Sequence, residues 1–302
     1  MKQRIINSEK AFDISVTIVL FIVAVSMLYP LIYVVSASLS SAEAVNRGDV
    51  IFFPVEFSLK GYEFAFSNKD IWIGYRNTIF YTLVGTLVNL AVTLPAAYVM
   101  SRKDFSSRNV LMVFFMITMY VGGGIMPTYL NWKSLGLLDT PWIMLLNGAL
   151  SVYNMIVART FFATSIPGEI AEATKVDGCS DFGLFFKIIL PLSKPIIMVM
   201  VLYYGVGRWN EYFNAMIYLE NRDLLPLQVI LREILIQGEL MKSLTADPSI
   251  SAESIQILME QAKAMELIKY CVIVISALPM LIVYPYLQKF FEKGVMIGSV
   301  KG

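Results

Sequence analysis

The sequence predicts an all-α, polytopic membrane protein with six transmembrane helices, and two observations carry this prediction. Hydrophobic residues make up 57% of the 302 residues and charged residues only 16%, which is too apolar for a water-soluble protein. The apolar residues also gather in long runs, and a bilayer core of about 30 Å requires roughly 20 apolar residues of helix. The predicted spans are 14–39, 77–100, 109–130, 141–160, 195–219 and 267–288. We expect residues 1–302 to form a single transmembrane domain.

Each run has its own features. The first is longer than the apolar region of a secretion signal and no cleavage motif follows it, so we expect it to stay attached as span one. Span three contains Gly122–Gly124, which predicts that the helix unwinds or that a neighbour approaches closely, with a functional kink as the alternative. Span five is interrupted by Arg208 and Glu211. Tyr284, near the end of span six, is typical of a membrane-interface belt.

Charge distribution sets the orientation and excludes several functions. Lys and Arg are denser in the segments on the side of the two termini, so both termini are predicted to be cytoplasmic. The 24 basic and 23 acidic residues give no basic field, which argues against a nucleic-acid partner. Because the chain has no histidine and only two, widely separated cysteines, we expect neither a metal site nor a disulfide.

A long external segment between spans five and six contains a helical pattern. From Leu224 to Leu240 its apolar residues recur at helical spacing, which predicts an amphipathic helix. Such a helix would lie on the bilayer, on a partner protein, or on the chain's own spans.

The connection between spans four and five, residues 164–194, has more structure than a simple link requires. Ser165, Pro167 and Glu169 predict a helix start, and Gly178 predicts its end. A second start at Ser180 leads into an apolar stripe, made of Phe182, Phe185, Phe186 and Ile189. We therefore expect two short helices that meet at a glycine, with an exposed apolar surface that needs a partner or rests on lipid headgroups.

The same loop carries a family motif: a Glu-Ala-Ala triplet, three residues, Gly, nine residues and Ile-x-Leu-Pro. Here the matching residues are Glu172-Ala173-Thr174, Gly178, Ile188, Leu190 and Pro191. Every gap agrees and only Thr174 departs from the motif. The chain therefore resembles permease subunits of binding-protein-dependent ABC importers, in the carbohydrate-uptake branch that includes the smaller maltose permease subunit and LplC-like oligosaccharide permeases.

This resemblance implies a MetI-like permease fold in a bacterial cell membrane, with the loop docked in a cytoplasmic ATPase. The ATPase-coupling residues that it implies are Glu169, Glu172, Ala173, Asp177, Gly178, Phe182, Phe185 and Pro191. The implied partners are a second homologous permease subunit, an ATPase dimer, an external solute-binding protein and membrane lipid. The chain has no phosphate-binding G-x-x-x-x-G-K-[ST] loop, so ATP and Mg²⁺ are expected on the partner ATPase and the chain itself is not an enzyme.

Polar residues inside spans are candidates for a solute pathway, because burying them in a membrane is costly. The candidates are Tyr120, Asn147, Tyr153, Asn154, Tyr203, Arg208, Trp209, Asn210, Glu211 and Asn214. Amides bond sugar hydroxyls and aromatic faces accept the apolar side of a sugar ring. The alternative is that these groups join helices to one another. Arg208 and Glu211 would then form an ion pair on one helix face.

Two other function classes are alternatives for this sequence. A secondary transporter or channel that works alone would take a small polar solute, but such proteins tend to show inverted repeats or several ionisable residues in their spans. An intramembrane enzyme would need an acid pair or an activated nucleophile inside a span, and the sequence offers neither.

Overall fold

The computed structural model describes residues 2–245 and 252–299, and over these ranges the chain is helical and without β-strands. This agrees with the predicted all-α class. The α-helices are α1 (Lys2–Ser38), α2 (Ala42–Arg47), α3 (Lys60–Ser67), α4 (Lys69–Ser101), α5 (Arg108–Tyr120), α6 (Ile125–Ser134), α7 (Pro141–Leu146), α8 (Val152–Ser165), α9 (Gly168–Val176), α10 (Asp181–Leu184), α11 (Leu190–Leu192), α12 (Lys194–Trp209), α13 (Phe213–Tyr218), α14 (Leu227–Thr245) and α15 (Ala252–Ser299). A π-helical turn, Phe185–Ile189, joins α10 to α11.

The predicted count of six spans is not confirmed. Three helical stretches are long and apolar enough to cross a bilayer: Phe12–Ser38, the whole of α4, and Gln256–Tyr286. Two more qualify only as bent pairs, α5 with α6 at 113° and Asp181–Leu192 with α12 at 82°. The described residues therefore contain three candidate spans, or up to five if each bent pair is one span.

Predicted span four is split into α7 and α8 by residues 147–151. Asn147 caps the end of α7, and Gly148 follows with φ of +70°, a left-handed conformation that favours glycine. Hydropathy alone predicts a continuous helix here, because the run from Thr140 to Ala158 contains no charged residue.

Predicted spans three and five are also interrupted. Gly122–Gly124 lies between α5 and α6, and Gly124 has φ of +83°, so the expected unwinding is confirmed. In span five, α12 ends at Trp209 and α13 begins at Phe213. Arg208 and Glu211 therefore do not share a continuous helix, which corrects the predicted helix-face pairing.

One compact unit comprises the chain up to Ile71 together with Leu231–Ala277. Within it, α3 packs closely on α15: a Cβ at Gly61 would lie 2.6 Å from Cys271 Sγ and 3.2 Å from the carbonyl oxygen of Leu267. Cys271 is buried, and its thiol donates to the carbonyl of Ser38 at 3.4 Å. Only glycine fits this contact without a shift of the neighbours.

The second compact unit comprises Trp72–Ile230 and the chain from Leu278 onward. It includes the first turn of α14, which is the predicted amphipathic helix. Leu227 and Ile230 are buried there, and both lie so close to Gly74 of α4 that a Cβ at Gly74 would be under 3.0 Å from each. For this turn, packing on the chain's own helix is therefore the alternative that the structure favours.

Candidate functional site

The 164–194 loop folds as two helical segments around Gly178. Ser165 belongs to the end of α8, so α9 begins at Gly168 and not with a Ser165 cap as predicted. α9 ends at Val176, and Gly178 follows with φ of +71°. The predicted helix stop is confirmed, because this left-handed conformation suits glycine and lets the N–H of Cys179 donate back to the Thr174 carbonyl at 3.1 Å.

The second segment starts at Ser180, as predicted. Its hydroxyl accepts from the backbone N–H of Gly183 at 3.2 Å and so caps the helix that begins at Asp181. The apolar stripe divides between two faces. Phe185 and Ile189 are buried, whereas Phe182 is 78% exposed.

Two contacts tie this loop to the end of α4. The ring of Phe185 lies 5.2 Å from that of Tyr98. Arg102, directly after α4, pairs through Nη2 with Asp104 and through Nη1 with Asp181, at 2.6 Å in both cases. Hydrogen bonds from Arg102 to Asp104 and Asp181 raise the pKa of its guanidinium, which stays charged. The start of α10 is therefore joined to α4 by an ion pair and by aromatic packing.

A cavity of about 440 Å³ lies beside Phe182 and is lined mainly by the rings of Tyr98, Phe105, Phe182, Phe185 and Phe186.

Most residues of the family motif lie at the surface of the loop. Thr174, the departure from the motif, is buried, and its hydroxyl donates to the carbonyl of Ile170 at 2.5 Å, so the extra oxygen is accommodated within α9. Of the predicted coupling residues, those exposed to solvent alongside Phe182 are Glu169, Glu172, Ala173, Asp177, Gly178 and Pro191.

A second group of polar residues surrounds the break in predicted span four. The guanidinium of Arg208 donates from Nε to Asn89 Oδ1 at 3.1 Å, from Nη2 to the carbonyl of Leu145 at 3.1 Å, and from Nη1 to the carbonyl of Met144. These carbonyls lie in the last turn of α7, where backbone oxygens lack helical partners and a positive charge is favourable. Arg208 thus caps the C-terminal end of α7 by donating hydrogen bonds to its free backbone carbonyls.

Asn89 and Tyr204 complete this arrangement. The fully buried amide of Asn89 donates to the carbonyls of Gly148 at 2.8 Å and Ala149 at 2.7 Å. The Tyr204 hydroxyl bonds Thr93 at 2.7 Å and accepts from the N–H of Ser151 at 3.1 Å. The broken backbone is therefore satisfied by side chains of α4 and α12.

Three predicted pathway residues come together at a different place. Tyr153 and Asn154 in the first turn of α8, and Tyr203 of α12, line one cavity of about 480 Å³. The other lining residues are Leu202, Val206 and Tyr284.

The remaining predicted pathway residues are dispersed. Trp209 is buried, with its ring 6.2 Å from that of Tyr75. The exposed amide of Asn210 donates to the Val206 carbonyl at 2.9 Å, and Glu211 accepts from the N–H of Asn214 at 3.2 Å. Tyr120 is exposed at the end of α5 and Asn147 is partly buried at the end of α7.

Sequence reasoning missed four contributors: Asn89, Tyr204, Arg102 and Tyr284. Asn89 is an amide in the middle of the apolar run of span two, and its polarity was the available signal. Tyr284 was predicted only as part of an interface belt, and the structure also places it in the wall of the cavity. The pairing of Arg102 with Asp181 joins residues far apart in the chain, so no local pattern predicts it.

Comparison with known proteins agrees with the fold and the motif. Residues 71–297 match the family described as the inner membrane component of binding-protein-dependent transport systems. The chain is 38% identical to the polygalacturonan/rhamnogalacturonan transport system permease protein YtcP of Bacillus subtilis (strain 168) over 97% of this chain and 99% of the relative. It is 37% identical to protein LplC of the same organism over 98% of this chain and 97% of the relative.

A solved structure agrees as well. One chain in the crystal structure of a bacterial ABC transporter involved in the import of the acidic polysaccharide alginate matches with a TM-score of 0.82 and 34% identity, over 94% of this chain and 98% of that chain. The relatives are transport permeases and not enzymes. Since the family match covers most of the sequence and full-length relatives agree with it, this chain belongs to the family of inner membrane components of binding-protein-dependent transport systems and has its MetI-like permease fold.

Proposed function

We propose that this chain is a transmembrane subunit of an ATP-driven importer that passes a sugar or oligosaccharide from an external binding protein into the cytoplasm. Residues 1–302 act as one permease domain in a bacterial cell membrane, with both termini and the 164–194 loop in the cytoplasm. A second permease subunit and an ATPase dimer complete the assembly, and ATP and Mg²⁺ bind to the ATPase. The names of YtcP and of the alginate importer support a carbohydrate substrate.

The observation that carries the proposal is the two-faced shape of the 164–194 loop. One face is held to α4 through Phe185 and the Arg102–Asp181 ion pair. The other face leaves Glu172 and the ring of Phe182 in solvent. An apolar side chain that is 78% exposed beside a fixed helix start is suited to docking in a cleft of a partner protein. We assign Phe182 to contact with the ATPase and Phe185 to anchoring the loop.

Gly178 gives the sharpest test of this assignment. No atom lies within 4 Å of a Cβ built at this position, so only the left-handed backbone and the character of the new side chain matter. Asn tolerates this backbone conformation. Gly178→Asn should therefore keep most of the transport activity. Gly178→Asp introduces a side chain of the same size and shape as Asn, but it adds a negative charge at the docking surface.

The experiment combines co-purification with transport. The wild-type chain should bring down a second permease and an ATPase, and ATP should drive uptake in liposomes. Gly178→Asp should leave the complex assembled but uncouple ATP hydrolysis from uptake, and Gly178→Asn should be close to wild type. A chain that imports without an ATPase, driven by a proton or sodium gradient, would instead be a stand-alone transporter.

A further inference from the structure

Residues 48–59, between α2 and α3, form a loop whose large apolar side chains are exposed. Ile51, Phe52, Phe53 and Phe57 are 54%, 53%, 80% and 67% exposed. Single apolar residues are normal at a protein surface, but four large ones so close together form a patch that another molecule is expected to cover. None of these residues belongs to the predicted coupling loop or to the predicted solute pathway.

The side chains of this loop are exposed although its backbone is fixed to the end of α1. The carbonyl of Phe52 accepts from the Ser36 hydroxyl at 2.7 Å, and the N–H of Val55 donates to the Ser40 hydroxyl at 3.0 Å. The carbonyl of Val55 also accepts from the N–H of Ser41 at 3.3 Å. Ser36 and Ser40 are both buried. The aromatic side chains therefore project from a backbone whose position relative to α1 is set by the fold.

α1 serves as a ruler for the depth of this loop in a bilayer. Its apolar stretch Phe12–Ser38 has 27 residues, and the most apolar part of that stretch has no buried residue. At 1.5 Å per residue the stretch is about 40 Å long, so if it crosses a core of about 30 Å completely, at most about 10 Å extends beyond the core at the Ser38 end. Tyr29 lies about 14 Å before Ser38 and is therefore inside the core. Because the ring of Phe52 lies 5.4 Å from the ring of Tyr29, it reaches the edge of the hydrocarbon.

Charged side chains close the base of the loop. Arg47 pairs through Nε with Asp49 at 2.7 Å and through Nη2 with Glu56 at 2.8 Å. The Ser41 hydroxyl donates to Glu56 at 2.5 Å. All three charged side chains are about half exposed, and since charges are costly to place in hydrocarbon, they mark the aqueous side of the loop. An apolar end next to Tyr29 and a charged base are the features of a segment that lies at the boundary between headgroups and acyl chains.

We propose that the 48–59 loop is an interfacial anchor that inserts the rings of Phe52 and Phe53 among phospholipid acyl chains beside α1. The leaflet is the one in which α1 ends, which is the outer leaflet in the predicted orientation. The anchor fixes the depth of α1, because a slide of α1 along the membrane normal would carry either the rings into water or Arg47 and its partners into hydrocarbon. This role goes beyond the proposed transport function and requires only that α1 crosses the bilayer.

Spin labels on the full-length chain in nanodiscs of phosphatidylethanolamine and phosphatidylglycerol measure this depth directly. In a chain that carries Cys179→Ser, the labelled sites are Ile32→Cys of α1, Phe53→Cys, Phe57→Cys and Glu43→Cys of α2. Power saturation compares collisions with O₂, which concentrates in the bilayer core, with collisions with a water-soluble nickel chelate. O₂ should dominate at Phe53. The depth should decrease in the order Ile32, Phe53, Phe57 and Glu43, because the N–H of Ser58 bonds the carbonyl of Leu39, just beyond α1, and holds Phe57 nearer the headgroups.

Glu43→Cys is the matched control, because its half-exposed side chain lies on the neighbouring short helix and should meet the chelate and not O₂. The Cys179→Ser chain without an added cysteine measures any label taken up by the buried Cys271. Dominance of the chelate at Phe53 would place the loop in water and overturn the proposal.

The same measurement on the assembled importer separates lipid from protein as the partner. The accessibility of Phe53 to O₂ should be unchanged when the second permease and the ATPase are bound. Protection from both reagents, in the chain alone or only after assembly, would place the loop against protein and would also overturn the proposal. Because neither ATP nor sugar enters the measurement, the anchor and the proposed transport function can fail independently.

Discussion

Replacing Arg208 by methionine separates two roles for the charged residue of span five. Methionine keeps the length and apolar stem of the side chain but removes all of its donors. In the structure these donors bond Asn89 and the carbonyls of Met144 and Leu145. If Arg208 holds the broken helix together, its loss should appear as lower stability. If it contacts the solute, stability should be retained and transport lost.

The size of the effect follows from the three contacts. Side-chain hydrogen bonds between membrane helices average about 0.6 kcal/mol and reach about 1.7 kcal/mol. Three such bonds predict a loss of about 2–5 kcal/mol. At roughly 2–4 °C per kcal/mol for domains of 150–250 residues, the Tm should fall by about 4–20 °C. Arg208→Lys should fall between wild type and Arg208→Met, because one ammonium cannot reach all three acceptors in the same geometry.

Thermal unfolding of the detergent-purified chain measures this difference. The control is Arg47→Met, which removes an arginine whose exposed side chain pairs with Asp49 and Glu56. Exposed pairs contribute little to stability, so the control should unfold close to wild type. An Arg208→Met variant with an unchanged Tm would refute the stabilising role and return Arg208 to the solute pathway.

Two further predictions concern single contacts. Arg102→Gln and Asp181→Asn should each lower the uptake per ATP hydrolysed by the assembled importer. The double variant should transport no worse than the worse of the two single variants, because both remove the same ion pair. Additive losses would argue against a shared ion pair. Gly61→Ala places a methyl group 2.6 Å from the Cys271 sulfur, so overpacking of about 1–3 kcal/mol should lower the Tm by several degrees. Cys271→Ala in the same chain should recover part of that loss, and no recovery would mean that the neighbouring Leu267 alone sets the cost.

The parts of the loop that could be predicted are those that local chemistry decides. A glycine free to adopt positive φ stops α9, and a serine hydroxyl caps the next helix, so Gly178 and Ser180 marked the two ends correctly. The division of the phenylalanines was not predictable. Phe185 faces inward because Tyr98, from a distant part of the sequence, packs against it.

The span count failed for the opposite reason. Hydropathy measures how well a run tolerates lipid, and residues 141–160 score as one run because Asn147 and Gly148 interrupt the apolar residues only briefly. A break inside a membrane persists only when other groups satisfy the freed backbone. Here those groups are Asn89, Tyr204 and Arg208, which no window around residue 147 contains.

The loop and the cavity are connected by the two helices that line the cavity. α8 runs from Tyr153 and Asn154 at the cavity to Ser165 at the start of the loop, about 18 Å at 1.5 Å per residue. α12 leaves the loop at Lys194 and reaches Tyr203 about 14 Å further on. Because both walls of the cavity are continuous with the two ends of the loop, a tilt of the loop moves Asn154 and Tyr203 relative to each other. In the proposed importer, an ATPase bound to the 164–194 loop is therefore expected to change the width of this cavity without contacting it.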